Sequence, residues 1–204
     1  MSDFARDAER SRSAKVALRN RMLTARKSLP EAVRRAADAA IQASTVALVR
    51  AERPTVCAAY VPVGAEPGGS SLPSALADLC TVLLPVLLPD GDLDWGVYDG
   101  TLRTSPRGLL EPAGGSLGTS AIAQASLIIV PAVAVSRSGM RLGRGGGSYD
   151  RVLSTTKSVV AVALLHDGEV LDSVPCEPHD RPVDAIITPA GGFSRVSAGR
   201  NKLR

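Results

Sequence analysis

Aromatic residues, cysteines and histidines are scarce in this chain, and each shortage excludes a class of protein. Aromatics make up 3% of the 204 residues, so the core must be built from Ala, Val, Leu and Ile. The three cysteines are widely spaced and form no CxxC pair, which argues against a disulfide framework. Because the chain has two histidines, a zinc site built from histidine and cysteine is not expected. No apolar run is long enough, or free enough of Pro and Gly, to predict a membrane span.

The length and composition of the chain favour one cytoplasmic domain over residues 1–204. This length fits a single domain with its own core, and 45% hydrophobic and 22% charged residues are typical of a globular protein. The odd number of cysteines and the lack of a secretory signal peptide predict a reducing, cytoplasmic compartment. The net charge of +4 suits an anionic small molecule, nucleic acid or plain solubility equally well.

Apolar runs of strand length alternate with helical patterns along the chain. Helices are predicted over residues 13–27, from residue 31 to Pro54 behind a capping box in SLPE (Ser28–Glu31), near Leu72–Leu79 and over Tyr149–Thr156. Strands are predicted at Thr55–Val63, Thr81–Pro89, in LDWGVYDG, and at Ser126–Ser136, Ser158–Leu165 and Asp184–Pro189, with a loop over Thr101–Ser120. Near-continuous apolar strands imply a sheet covered on both faces. The expected fold is a three-layer α/β sandwich with a mostly parallel central sheet flanked by helices.

The segment SGMRLGRGGGSYDR (Ser138–Arg151) follows the strongest predicted strand, where ligands bind in such sheets. Its glycines let backbone N–H groups approach a ligand, and Arg141 and Arg144 add charge suited to phosphate. A helix starting near Tyr149 would add its positive dipole end. The segment therefore predicts a phosphate cradle, although it is neither a Walker A motif nor a dinucleotide fingerprint. The alternative is a glycine-rich turn with solvated arginines.

Carboxylates near this segment have two possible roles. Asp150 could bind Mg²⁺ beside a phosphate, or could be a helix-start aspartate favoured by the dipole. The segment PCEPHDRPVDAIITP holds Glu177, His179, Asp180 and Asp184 before a strand, and could supply a second metal carboxylate or form a solvated turn. Spacing alone does not pair Asp180 with Asp150.

The N-terminal helix carries a basic stripe of Lys15, Arg19 and Arg26, with Met22 on the same face. This stripe could fold over a phosphate tail. It could equally be a charged flank whose aliphatic stems lie over the core.

Four stretches, taken in chain order, resemble the 5-formyltetrahydrofolate cyclo-ligase family, also called methenyltetrahydrofolate synthetases. RLGRGGGSYDR is similar to the family signature R-L-G-x-G-x-G-Y-Y-D. KVALRNRMLTARKSLP resembles the N-terminal helix, YVPVGAEP the strand and glutamate that open the folate pocket, and PCEPHDRPVDAIITP the C-terminal motif. The resemblance spans residues from about 14 to 189 and is specific because the four stretches occur in this order.

The resemblance implies an enzyme that uses ATP and Mg²⁺ to close 5-formyltetrahydrofolate to 5,10-methenyltetrahydrofolate, releasing ADP and phosphate through an iminium phosphate. It implies that Asp150 and Asp180 hold Mg²⁺ and that Glu66 contacts the pterin ring. The implied catalytic residues are Arg141, Arg144 and Tyr149. The implied nucleotide-binding residues are Lys15, Arg19, Arg141, Leu142, Gly143, Arg144, Gly145, Gly146, Gly147, Ser148 and Tyr149. The implied folate-binding residues are Glu66, Arg144, Gly145, Gly146, Gly147 and Ser148.

The expected partners are these two small-molecule substrates, without nucleic acid or membrane, and a monomer is expected. Two positions depart from the family pattern: Ser148 stands where a first tyrosine is common, and Pro67-Gly68-Gly69 follows Glu66. Ser148 favours one alternative, a non-catalytic nucleotide- or folate-binding protein on the same fold. A second alternative, nucleic-acid binding through the basic termini, is weakened by the lack of a basic–aromatic module.

Overall fold

A computed structural model describes residues 3–156 and 158–196 of the chain. Its helices are α1 Asp3–Ser28, α2 Glu31–Glu52, α3 Leu72–Ala77 and α4 Ser148–Thr155, with a 3-10 helix at Thr119–Gln124. Its strands are β1 Val56–Ala58, β2 Thr81–Leu87, β3 Leu93–Val97, β4 Leu102–Thr104, β5 Leu110–Pro112, β6 Leu127–Pro131, β7 Ala134–Ser136, β8 Arg141–Leu142, β9 Val160–Leu164, β10 Val170–Leu171, β11 Ala185–Thr188 and β12 Gly192–Arg195.

The described residues form a seven-stranded central sheet in the order β12-β11-β9-β6-β1-β2-β3. Its inner strands run parallel, with Cys57 opposite Val82 on one side and Leu127 on the other. The edge strands β3 and β12 are antiparallel to their neighbours. The other strands among the described residues form a three-stranded sheet (β10-β7-β8) and the β4–β5 hairpin. The prediction of a mostly parallel central sheet is confirmed.

Both faces of the central sheet are buried. Successive residues of a strand point to opposite faces, so neighbouring residues pack in different clusters. Cys57 packs in a cluster that holds Ile41 of α2 and Leu72 of α3. The next residue, Ala58, packs in a cluster that holds Val152 of α4 and Ile122 of the 3-10 helix. The predicted three-layer sandwich flanked by helices is therefore also confirmed.

Several local predictions were wrong. No capping box forms: Ser28 ends α1 and its Oγ donates to the carbonyl of Ala25 at 2.8 Å, while Pro30 precedes α2 without any side-chain cap. The predicted loop Thr101–Ser120 contains the hairpin of β4 and β5. The predicted strand Ser126–Ser136 is two strands that belong to different sheets.

Helix α1 covers the small β10-β7-β8 sheet rather than the central one. Leu18, Met22 and Leu23 pack against a cluster that includes Val133 and Leu142. No helix among the described residues is long and apolar enough to cross a bilayer. The basic C-terminal residues Arg200, Lys202 and Arg204 lie outside the described part of the chain.

Candidate active site

The sheet connections place a cavity at the point where the strand order changes direction. From β1 the chain passes through α3 to β2 on one side, whereas β6, on the other side of β1, leads through α4 to β9. The segments after β1 and β6 therefore diverge at the carboxyl edge, where α/β sheets bind ligands. A cavity of about 480 Å³ opens there, lined by Tyr60 and Val61 after β1 and by Pro131 and Ala132 at the end of β6.

The cavity has two chemically different walls. The charged wall comes from α1, from β8 through the start of α4, and from the segment before β11; its charged residues include Arg12, Lys15, Arg19, Arg141, Arg144, Asp150, Glu177 and Asp180. The apolar wall comes from β2, β3 and the β4–β5 hairpin, and consists of Pro85, Leu87, Leu93, Leu109 and Leu110. This division suits a ligand with an anionic part and a large ring system.

Every residue that the family resemblance implied for the site lines this cavity, whereas Arg26 and Asp184, which the sequence analysis also raised as candidates, do not. The residues implied by the resemblance are Lys15, Arg19, Glu66, Arg141, Leu142, Gly143, Arg144, Gly145, Gly146, Gly147, Ser148, Tyr149, Asp150 and Asp180. They come from segments separated by more than a hundred residues, so the fold brings them together. Their individual roles remain predictions.

The glycine loop (Gly143–Gly147) joins β8 to α4 and presents the N-terminus of α4 to the cavity. Gly147 precedes α4 with φ +70°, a left-handed conformation that side chains with a Cβ adopt at a cost. Arg19 of α1 donates its Nε–H to the carbonyl of Gly143 at 2.9 Å, which ties the loop to the first helix. The free N–H groups and dipole of a helix N-terminus favour an anion at this point.

The side chain of Arg141 is 3% exposed and makes its contacts inside the protein, beside the glycine loop. Its guanidinium bonds Asp150 Oδ1 at 3.0 Å and the carbonyl of Pro131 at 3.1 Å. It also lies 5.9 Å from the ring centroid of Tyr149, within range of a cation–π contact. The second partner of Asp150 Oδ1 is the backbone N–H of Arg181, at 3.0 Å. Asp150 therefore links the glycine loop to the segment before β11.

Lys15 joins α1 to that same segment. Its Nζ lies 2.6 Å from Asp180 Oδ2 and 2.7 Å from Glu177 Oε2. Burial alone would lower the pKa of Lys15, but the hydrogen bonds to the two carboxylates outweigh it and raise the pKa. The hydrogen bond from Lys15 likewise lowers the pKa of Glu177. The Glu177 carboxylate is thus held in the charged form.

The donors for a cation cluster near Lys15. Ligand atoms of Glu177, His179 and Asp180 lie within 4.8 Å of one another, and carboxylate oxygens are the donors that Mg²⁺ prefers. Asp150 lines the same cavity but is not part of this cluster. The donor set around Asp180 therefore fits a hard divalent cation, and Glu177, which the sequence analysis named only as part of the acidic segment, is a candidate ligand beside Asp180.

Glu66 and Arg144 face each other across the mouth of the cavity, 2.8 Å apart. Glu66 is 10% exposed and also accepts the backbone N–H of Val63, at 2.9 Å, whereas Arg144 is 56% exposed. A buried carboxylate on a fixed backbone is a suitable acceptor for ring N–H groups. The arginine end of the pair is solvated, so the pair can open when a ligand gives Glu66 a new partner.

Two tyrosines lie beside Glu66. Tyr60 is buried and donates to the carbonyl of Pro67 at 2.8 Å. Tyr149 is different: among the described residues its buried hydroxyl has no hydrogen-bond partner. Burial, together with the nearby Glu66 carboxylate, raises the pKa of Tyr149 well above its ordinary value. The side chain is therefore a neutral phenol whose buried hydroxyl has an unused donor, on a residue that lines the cavity.

Sequence reasoning missed the apolar wall, Tyr60 and Arg12. Leucines in strands give the same signal whether they face a core or a cavity, so nothing local distinguishes the apolar wall. Glu177 was noticed in an acidic segment, and its spacing to Asp180 was the available clue.

Comparison with known proteins gives a consistent result. A family model for the 5-formyltetrahydrofolate cyclo-ligase family matches residues 11–189. A 5-formyltetrahydrofolate cyclo-ligase of Mycolicibacterium smegmatis is 44% identical over 188 residues, covering 88% of this chain and 96% of the relative. The NMR structure of a 5,10-methenyltetrahydrofolate synthetase from Aquifex aeolicus superposes with a TM-score of 0.77 at 26% identity, over 92% of this chain and 95% of that one. A synthetase from Mycoplasma pneumoniae shares the fold, with a TM-score of 0.68 at 21% identity over 84% and 96% of the two chains.

Proposed function

The chain belongs to the 5-formyltetrahydrofolate cyclo-ligase family, and we propose that it converts 5-formyltetrahydrofolate and ATP to 5,10-methenyltetrahydrofolate, ADP and phosphate. The whole of residues 1–204 is proposed to act as one catalytic domain. The observation that carries the proposal is a cavity in which a charged wall with a glycine loop faces an apolar wall. The first suits the phosphates of a nucleotide, and the second suits the rings of a folate.

In the proposed reaction the formyl oxygen attacks the γ-phosphorus and the bond to ADP breaks, which leaves an iminium phosphate. N10 then bonds to the activated carbon and loses its proton to water, and phosphate departs with the former formyl oxygen. The formyl oxygen of an amide is a weak nucleophile, so alignment and charge stabilisation supply the catalysis. No side chain needs to form a covalent bond.

The residues divide this work by position. Lys15, Arg19 and the N–H groups at the start of α4 would hold the phosphates. Arg144 is exposed enough to leave Glu66 and reach the transferred phosphoryl group, which frees Glu66 to accept the N–H groups of the pterin. The phenol of Tyr149 would donate to an oxygen of the reacting formyl phosphate. Arg141 would act through Asp150 and the ring of Tyr149.

Magnesium would be held by Asp150 and Asp180, with Glu177 next to Asp180. Bound there, the ion would neutralise charge on the phosphates. Support comes from the chemistry of the donor set, in which carboxylates predominate, and from the position of both aspartates in the cavity that the glycine loop lines.

The test is the near-ultraviolet absorbance of the methenyl product when purified protein is mixed with 5-formyltetrahydrofolate, ATP and Mg²⁺. We expect product that requires ATP and Mg²⁺. Asp150→Asn should lower the rate by more than about 100-fold, because several kcal/mol of charge stabilisation depend on the ion. Asp172→Asn is the matched control, since Asp172 is 91% exposed and does not line the cavity.

Absence of product from wild-type protein that binds both substrates would overturn the enzymatic proposal. It would favour the non-catalytic binding protein instead. Binding of nucleic acid that weakens steeply with salt would support the remaining alternative.

A further inference from the structure

The turn between β2 and β3 (Leu88–Asp92) is fastened to the charged wall by contacts that the proposed reaction does not use. Ser148, at the start of α4, donates its Oγ–H to the carbonyl of Gly91 at 2.5 Å. Arg151, one helical turn later, donates to the same carbonyl at 2.5 Å. Its Nε–H also bonds Asp92 Oδ1. Two side chains of α4 thus hold one turn of the opposite wall.

The guanidinium of Arg151 lies between the turn and the glycine loop. A Cβ on Gly91 would lie 3.0 Å from its Nη2, and a Cβ on Gly147 would lie 3.2 Å from its Nη1. Both glycines have positive φ, +88° and +70°, which residues with a Cβ adopt at a cost, and both approach the guanidinium closely. Its Nη1 also faces the carbonyl of Gly146 at 3.5 Å. A displacement of the loop therefore changes the contacts of the turn.

The position of the β2–β3 turn also determines the position of the apolar wall. It is closed by backbone hydrogen bonds from Leu88 to Asp92 at 2.9 Å and from Gly91 to Leu88 at 3.0 Å. Leu87 and Leu93, which flank it and pair across β2 and β3, both line the cavity. Movement of this rigid turn carries these two side chains with it.

We propose that Arg151 is a positioning residue that couples the two halves of the site. A nucleotide that orders the glycine loop would, through Arg151 and Gly91, fix the apolar wall that receives the folate. Each substrate then raises the affinity of the protein for the other by the same factor. This inference rests on the proposed function, because it takes the two ligands from that reaction.

Stability of the fold is a separate matter from this coupling. The side chains of Arg151 and Asp92 are each 46% exposed, and ion pairs of this kind contribute little to the free energy of unfolding. Loss of Arg151 should therefore leave the protein folded, with Ser148 as the one side chain of α4 that still holds the turn.

The test measures the dissociation constant of 5-formyltetrahydrofolate by calorimetry, with and without a non-hydrolysable ATP analogue and Mg²⁺. Wild-type protein should bind folate at least about fivefold more tightly with the analogue present, within the usual range of coupling between sites. Arg151→Gln should reduce this ratio to less than about twofold. The control is Arg137→Gln, which breaks an exposed ion pair to Asp172 away from the cavity and should keep the wild-type ratio.

Asp92→Asn provides a second variant in case Arg151→Gln does not fold. It replaces the negative charge beside Arg151 with a neutral acceptor, which weakens one contact of Arg151 and should lower the coupling ratio. A wild-type ratio near one, or an unchanged ratio in a folded Arg151 or Asp92 variant, would overturn the inference. The wild-type turnover assay separates this outcome from failure of the proposed function, since an active enzyme without coupling contradicts only the role of Arg151.

Discussion

Replacement of Tyr149 with phenylalanine should slow the reaction without destabilising the protein. The change removes one oxygen and keeps the ring, which packs against the core and lies 5.9 Å from the guanidinium of Arg141. Among the described residues that oxygen has no hydrogen-bond partner, although it is buried. A buried polar group without a partner costs about 1–3 kcal/mol. The free energy of unfolding should therefore stay the same or rise by up to that amount.

The same substitution should lower kcat/KM. If the phenol donates to an oxygen of the charged phosphoryl group, the lost hydrogen bond is worth about 1.5–3 kcal/mol. Since each 1.36 kcal/mol changes a rate tenfold, kcat/KM should fall by about 10- to 150-fold. Because the pKa of Tyr149 is raised above its ordinary value of 10.0, the phenol stays protonated up to at least pH 10.0. Deprotonation of Tyr149 should therefore not lower the wild-type rate below that pH.

Two measurements on the same variant decide the matter. Urea unfolding gives the change in stability, and the initial rate of methenyl formation gives the change in kcat/KM. Tyr60→Phe is the comparison, because the hydroxyl of Tyr60 is bonded to the carbonyl of Pro67 and its removal should lower stability. A Tyr149→Phe protein that is less stable by more than 1 kcal/mol and fully active would refute the reasoning, since the hydroxyl would then have a structural role.

Two other predictions concern stability. Arg26 and Glu169 form a buried pair with side chains 3% and 6% exposed, so Arg26→Met should lower the free energy of unfolding by about 3–5 kcal/mol, and a further Glu169→Leu change should restore part of it in urea titrations. Gly147→Ala should cost about 1–2 kcal/mol and weaken binding of a nucleotide analogue, because φ at Gly147 is +70°. Gly146→Ala is its control, since a Cβ there meets only Ser148 Oγ at 3.6 Å; equal losses in the two variants would contradict the backbone argument.

The centre of the fold was predictable and its edges were not. Strands β6, β9 and β11 lie between two helical layers, so nearly all their residues, on both faces of the sheet, are apolar and the runs are easily recognised. Strand β12 is partly exposed and β10 has two residues, so neither produces a recognisable pattern. These elements are strands because of partners distant in the chain, which local sequence does not reveal.

The candidate site divides in the same way. The charged wall was predictable because glycines, arginines and aspartates in a short segment are unusual and have few structural uses. Leu87 and Leu109 of the apolar wall could not be distinguished from core residues, since cavity and core select the same side chains. The basic stripe on α1 was ambiguous for a physical reason: Lys15 and Arg19 face the cavity, whereas Arg26 bonds Glu169 inside the protein.

The positive charge beside the glycine loop is matched by negative charge from elsewhere in the fold. Arg141 is paired with Asp150, and Lys15 with Asp180, and three of these four side chains are less than 12% exposed. Removing one partner from such a pair leaves an uncompensated charge that costs several kcal/mol. A phosphate alone would draw Lys15 away from Asp180 and leave that carboxylate unpaired. A phosphate that arrives with a divalent cation gives both groups a new partner, which is the physical reason why the proposed function joins magnesium to ATP.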